Sequence, residues 1–431
     1  MSVRTARRAL AAALVAAAVT ATALTAPATA TPAPATATPA PATTPAPATT
    51  PAAAPAAAED RSGGGRHAET REALRQLVRD GLPGALAQAR DRHGVWNGGA
   101  GVADRTTGRK RLPNDRFRIA SITKTFVATV VLQLDAEGRL DLDDTVEEWL
   151  PGVVRGNGHD GREITVRQLL NHTSGIYNVT ADPGFQAKVF GPDFLRHRYD
   201  TWTPEQLVAL AMEHEPDFAP GTSWRYSNTN YVLAGMIVEK ATGRPYGEAV
   251  ERRIIRPLGL RATSVPGTDH RMPRPSGRAY STLGADPADP ATRVHDVTEL
   301  NPSIAGSAGE MISDTADLQR FVRALLTGRL LPQQQLKEMM TAVPGGPEAQ
   351  GGGYGLGLVN RKLSCGTEVW GHTGGIHGSG SVVVSTRSGD HTLAANVNGD
   401  WAGGVDRIVE AEFCGTPPAG PSAAPAAPMA P

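Results

Sequence analysis

The chain has 431 residues, with 43 basic and 43 acidic side chains and a formal net charge of zero. That balance argues against nucleic acid or an anionic membrane surface as a partner. Only two cysteines are present, and two thiols cannot build a four-ligand zinc site without a His or carboxylate cluster, which the sequence does not offer.

The chain opens like a leader. Arg4, Arg7 and Arg8 precede an apolar run, Ala9 to Leu24, and the small triplet Ala28-Thr29-Ala30. This is the layout of a secretory signal peptide over residues 1–30. Residues 31–66, mostly Ala, Thr and Pro and closed by RSGGGR, cannot bury apolar surface and are expected to form an extended tether. Folded structure is expected over residues 67–415, and residues 416–431 are again low-complexity. In a secreted protein the isolated pair Cys365 and Cys414 is most simply a disulfide.

HAETREALRQLVRDG (67–81) has the spacing of an amphipathic helix with Leu74, Leu77 and Val78 on one face. Two strands with a turn over 91–94 follow. From Ser121 to Ala136 the pattern predicts one unbroken helix, apolar on nearly every side and therefore buried. The middle, roughly 140–330, reads as helices with Thr or Ser caps and Gly stops. The end turns to strands, a hairpin over 387–390 and a last helix near 405–413. Together these predict an α/β (α+β) fold: an antiparallel sheet flanked by helices and formed from both chain ends, with an inserted, mainly helical lobe.

Three stretches could carry chemistry. In FRIASITKTF, Ser121 and Lys124 stand three residues apart, so on a helix they share a face. Burial weakens a lysine's preference for charge and lets it take a proton from serine, while a helix N-terminus supplies N–H groups for an oxyanion. In RYSNTNY, Tyr226-Ser227-Asn228 stands between a Pro/Gly loop and a helix starting near Asn228. In WGHTGG, His372-Thr373-Gly374-Gly375 lies on a strand whose glycines leave a bare backbone edge for a peptide-like substrate. A near-copy, HTSG (172–175), follows a helix and reads as a structural turn. A Gly-x-Ser-x-Gly elbow does not occur, GGGYGLGL does not complete a dinucleotide fingerprint, and His-Glu-x-x-His is missing, so neither cofactor nor metal is expected.

In this order, Ser-x-x-Lys, Tyr-x-Asn and His-Thr-Gly resemble the penicillin-recognising serine hydrolases, on their class C β-lactamase side. The likeness runs from about Gly84 to Cys414 and includes GVADRTTGR, ITVRQLLNHTSGI, NTNYVLAGMIVE and GYGLGL. It is strongest toward the secreted D-alanyl-D-alanine carboxypeptidases. The resemblance implies a Ser121 nucleophile, Lys124 as its proton partner, Tyr226 as acid/base and Asn228 as a ligand of the substrate amide. His372 and Thr373 would line the substrate strand, and the N–H groups of Ser121 and Gly375 would form the oxyanion hole. It implies an extracellular, monomeric D-Ala-D-Ala carboxypeptidase acting on peptidoglycan-type peptides and binding β-lactams. A β-lactamase, an esterase, a D-amino-acid peptidase and a non-catalytic sensor remain the alternatives. The chain departs from the carboxypeptidase pattern where an arginine and a threonine are expected: those places read Val359 and Gly375. The acylating groups are therefore expected intact, and the clamp for a substrate's terminal carboxylate is left open.

Overall fold

The computed structural model describes residues 65–345, 352–402 and 404–415. The expected signal peptide, the C-terminal tail and all but the end of the tether lie outside the described residues.

Helix α1 (Ala68–Arg79) buries Leu74 and Leu77, as its apolar spacing requires. The chain then forms an antiparallel hairpin, β1 (Gly84–Asp91) and β2 (Gly94–Gly101), turning through Arg92-His93. It next leaves the sheet for a long helical excursion. Helix α2 (Thr123–Ala136) is buried from Thr123 through Leu132, which explains its lack of a polar face. A 3₁₀ turn over Ala120–Ile122 precedes it, so the single helix expected from Ser121 is in fact a tight turn followed by α2.

Helix α3 (Val166–Leu170) starts with a reciprocal cap: the Thr165 hydroxyl accepts from the Gln168 N–H, and the Gln168 side chain accepts from the Thr165 N–H. Helix α4 (Asn228–Thr242) is buried from Asn228 to Val238 and ends at Gly243, whose φ of 68° suits a glycine stop. Helix α5 (Thr315–Leu326) is capped by Asp314, which accepts from the Asp317 N–H at 2.8 Å.

The chain then returns to the sheet as β3 (Gly353–Tyr354), β4 (Val359–Lys362), β5 (Glu368–Ile376), β6 (Ser379–Ser385) and β7 (Thr392–Val397), followed by α6 (Asp406–Cys414). The sheet order is β2-β1-β7-β6-β5-β4-β3. All neighbours are antiparallel, and β1 pairs with β7 so that Ala87 faces Ala395. Both ends of the folded chain thus build one sheet.

Period-two alternation assigns each face. Ala85, Ala87, Val382, Val384 and Leu393 pack against Leu74 and Leu77 of α1 and Ile408 and Val409 of α6. Leu86, Val383, Ala394 and Ile376 point the other way, into the larger core shared with α2, α4 and α5. A bond between Cys365, in the β4–β5 turn, and Cys414, the last residue of α6, ties the outer layer to the sheet.

One detail of register prepares the site. Strand β4 pairs with β5 only from Glu368 to Gly371. Among the described residues, β5 from His372 to Ile376 is paired with β6 alone.

Candidate active site

Ser121 sits at the mouth of the helical lobe, on the 3₁₀ turn that opens onto α2. Its neighbour Ala120 has φ of 47°, a left-handed conformation that costs a non-glycine residue about 1–3 kcal/mol. Such strain is tolerated where the surroundings fix it, and here they do. The Ile119 N–H donates to Met311 O, and the Ser381 hydroxyl donates to Ile119 O. Gly374 of β5 lies against the same carbonyl, so closely that a Cβ there would sit 2.1 Å from Ile119 O. Only glycine lets the substrate strand and the serine segment meet in this way.

Lys124, one turn along, is 0% exposed whereas Ser121 keeps 7%, so the pair is approached from the serine side. Lys124 Nζ is hydrogen-bonded to Ser121 Oγ at 3.0 Å, Asn228 Oδ1 at 2.7 Å and the Ala308 carbonyl oxygen at 2.8 Å. It also stands 4.8 Å from the centre of the Tyr226 ring and 5.6 Å from that of Tyr231. Ser121, Lys124, Tyr226 and Asn228 therefore come together, although more than a hundred residues separate the two motifs.

Asn228, the first residue of α4, is turned inward and 1% exposed. Its amide donates to Asn178 Oδ1 at 3.3 Å and to Thr180 Oγ1 at 3.1 Å, while its oxygen accepts from Lys124. In this geometry it braces Lys124, with its two amide hydrogens held by Asn178 and Thr180. Asn178 and Thr180 had no signal in the sequence, because they bear on the site only through a second side chain.

His372 and Thr373 occupy consecutive positions of β5 and so project from opposite faces. His372 is buried: its Nε2 accepts from the Tyr354 hydroxyl at 2.8 Å and its Nδ1 donates to Thr373 O at 2.6 Å. Burial, together with the nearby Lys124 and Arg361, holds its pKa down at about 3, so the ring is neutral. Thr373 is half-buried, and Gly374 and Gly375 continue along the stretch of β5 that lacks a β4 partner. The bare strand edge read from the glycines is present. Arg361 shares the buried face of β4 with Val359, as its spacing requires, and donates to Asp406 of α6 at 2.6 Å. Cys414 packs with the outer-layer cluster that contains Ile408 and Val409.

His172 belongs here too, which the sequence reading missed. It follows α3 as a turn residue with φ of 64°, yet its ring centre lies 4.3 Å from that of Tyr226 and 4.7 Å from that of Tyr354. Burial first, then Lys124 and His372, push its pKa well below the ordinary imidazole value. Its signal was the near-copy of His-Thr-Gly, set aside because it follows a helix. Among the described residues, no group of three or more His, Cys, Asp or Glu is placed to hold a metal ion.

The arrangement can perform acyl transfer. It offers a hydroxyl in contact with a buried amine, a phenol beside that amine, and an open strand edge alongside. Comparison with known proteins agrees. The sequence pattern of the beta-lactamase family matches residues 70–407. A crystal structure of a D-stereospecific amidohydrolase from a Streptomyces species is 66% identical, with a TM-score of 0.77, covering 81% of this chain and 99% of that one. Penicillin-binding protein 4 of Amycolatopsis lactamdurans is 32% identical over 54% of this chain and 56% of its own length. Esterase EstB of Burkholderia gladioli is 40% identical over 42% of this chain and 46% of its own length. The chain thus spans about half the length of these two curated relatives. With its family pattern matched over most of its length and its fold shared, this chain belongs to the beta-lactamase family of serine hydrolases.

Proposed function

We propose that this protein is an exported acyl hydrolase that cleaves amides, and by extension esters, of D-configured acyl groups whose leaving end carries no carboxylate. The observation that carries this reading is the charge of the substrate strand. A carboxypeptidase needs a fixed cation for the terminal carboxylate. Here the His372 imidazole is neutral, Val359 and Gly375 carry no charge, and Arg361 is engaged with Asp406. The 66% identity to a D-stereospecific amidohydrolase over 99% of that chain supports the same conclusion. It moves the balance away from the D-Ala-D-Ala carboxypeptidase favoured by motif likeness and toward the D-amino-acid amide reading. The basic-then-apolar N-terminus and the Cys365–Cys414 bond support export.

In the proposed mechanism the substrate lies along His372–Ile376 as an added strand, and its carbonyl oxygen points at the N–H groups of Ser121 and Gly375. Lys124 enters as the free amine, its two hydrogens on Asn228 Oδ1 and Ala308 O and its lone pair toward Ser121; Ser121 Oγ attacks the carbonyl carbon while its proton passes to that lone pair. The C–N bond then breaks, Tyr226 gives its phenolic proton to the departing nitrogen, and Lys124 returns a proton to Tyr226. Water attacks the acyl-enzyme by the reverse proton path, releasing the acid and restoring Ser121. Each positioned proton transfer contributes about 10²–10⁴-fold. The neutral contacts of Lys124 with Asn228 Oδ1 and Ala308 O aim its nitrogen at Ser121 before substrate arrives.

The test compares an N-acyl-D-Ala-D-Ala peptide with its C-terminal amide, and a D-amino-acid amide with its L-enantiomer, in wild type and Ser121→Ala. The amide-terminated peptide is expected to have at least a ~10-fold higher kcat/KM, since losing a charge-assisted contact costs about 1.5–3 kcal/mol only where such a contact exists. The D-enantiomer is expected to be preferred, and Ser121→Ala to be inactive. A preference for the free carboxylate would overturn the proposal and restore the carboxypeptidase.

A further inference from the structure

Tyr226 sits in a loop between Gly221 and the start of α4, and a loop residue needs something to hold its ring over Lys124. The residues on either side of it are gripped by one side chain and its own backbone. The Arg225 N–H donates to the His172 carbonyl at 3.1 Å, and the Ser227 N–H donates to His172 Nδ1 at 3.2 Å. A backbone N–H can only donate, so Nδ1 is the acceptor and the proton of the neutral ring is on Nε2. Asn230, one turn into α4, adds its amide to the same Nδ1 at 3.1 Å, and is itself oriented by the Ser174 hydroxyl, which donates to Asn230 Oδ1 at 2.7 Å. The imidazole then lies against the Tyr226 ring, with centres 4.3 Å apart and planes tilted by 38°. Tyr354, which donates to His372, closes the other side at 4.7 Å.

From this geometry we infer that His172 is a positioning residue for Tyr226: a neutral imidazole whose Nδ1 fixes the backbone after Tyr226 and whose face fixes its ring. The left-handed backbone at His172 is part of the device, because it turns the side chain back under the loop instead of outward from α3. His172 takes no proton in the reaction; it acts by keeping the phenol where the leaving nitrogen will be. The inference rests on the acyl-enzyme reading above, in which Tyr226 delivers that proton.

The experiment uses the folded enzyme, an amide substrate with a poor leaving group, and a fluorophosphonate that labels reactive serine, so that kcat is expressed per labelled Ser121. His172→Leu keeps bulk and removes the acceptor. His172→Asn places Oδ1 where Nδ1 stood and tolerates the left-handed backbone. His172→Leu is expected to lower kcat about 100-fold with KM changed less than about 3-fold, the effect of a misplacement near 1 Å. His172→Asn is expected to recover at least about a tenth of the wild-type kcat through the restored acceptor. In a Tyr226→Phe background either substitution is expected to change kcat by less than about 3-fold, because residues acting through one group are not additive. Should the Leu variant not fold, the Asn variant in the two backgrounds carries the test. Wild-type kcat per labelled serine in His172→Leu, no recovery in His172→Asn, or full additivity with Tyr226→Phe would each overturn the inference. A wild-type enzyme that takes no label would instead overturn the acyl-enzyme reading beneath it.

Discussion

Gly374→Ala offers a sharp test of how the substrate strand is seated against the nucleophile. A Cβ at this position would lie 2.1 Å from the Ile119 carbonyl oxygen and 3.0 Å from its carbon. Both are backbone atoms two residues before Ser121, so no side chain can swing aside. Relaxing a carbon–oxygen contact to about 3.3 Å would part β5 from the serine segment by about 1.2 Å. The Ser381 hydroxyl, which bridges Ile119 O at 3.1 Å and Gly374 O at 3.3 Å, would lose at least one partner. A displacement of that size at reacting groups costs about 100-fold in rate, and overpacking of this kind costs about 1–3 kcal/mol in stability. The assay is steady-state kcat on a D-amino-acid amide, normalised to fluorophosphonate-labelled serine, beside a urea melt. Gly374→Ala with kcat within twofold of wild type and an unshifted urea midpoint would refute the close seating of β5 on the Ser121 turn.

Two further expectations concern stability. His372 and His377 are buried with pKa values pushed down by desolvation to about 3 and about 4, and His172 lies well below the ordinary 6.5. The unfolded chain takes up these protons first, so the stability they lend is complete above pH 6.5 and drains as pH falls toward 4 and 3. Each contributes a slope of about 1.4 kcal/mol per pH unit within that window, and a urea midpoint that stays flat from pH 7 to 5 would show that these imidazoles are not buried neutral. Glu412 accepts from Thr70 and meets His67 and His391; those hydrogen bonds outweigh its burial and leave its pKa at about 2, adding a loss confined below about pH 4.5. Separately, Cys365 and Cys414 close a loop of separation 49, for which chain entropy assigns about 4 kcal/mol. Replacing both with serine is expected to lower the urea midpoint and leave kcat unchanged. An unchanged midpoint would mean that α6 is held without the bond, by the packing of Ile408 and Val409 and the contacts of Asp406 and Glu412.

The sheet was legible because its signals are local. The β-rich runs on either side of the Arg387–Asp390 turn, and the strands on either side of the Asp91–Gly94 turn, each specify a hairpin without reference to anything distant. That both chain ends share one sheet followed only from where strands fell in the chain; the pairing of β1 with β7 came from the structure. That Ser121, Lys124 and Tyr226 would come together was expected from the order of Ser-x-x-Lys, Tyr-x-Asn and His-Thr-Gly along the chain, each motif being weak alone. The break before α2 was not, since a left-handed alanine leaves no mark on composition. Asn178, Thr180 and His172 were not legible either. Their work lies in hydrogen bonds to groups about 50 residues away, and a polar residue in a loop looks the same whether it meets water or a buried amide.

The neutral histidines connect the fold to the proposed substrate. A buried imidazole that gives up its charge can be packed beside a buried lysine without adding repulsion when that lysine is protonated, whereas a lysine at position 372 would face Lys124 across the same aromatic cluster of Tyr226, Tyr354 and His172. Neutrality at His372 therefore eases the desolvation of Lys124, and it removes from β5 the cation that would have drawn a carboxylate. Val359, packed with Tyr226 and Tyr354, acts in the same direction from β4, where an arginine would have to expel apolar contact to reach the site. In the proposed reading, neither position offers a fixed cation to a substrate's terminal carboxylate. On the reading proposed above, Ser121, Lys124 and Tyr226 stay in contact while the preferred leaving end is an amide rather than an acid.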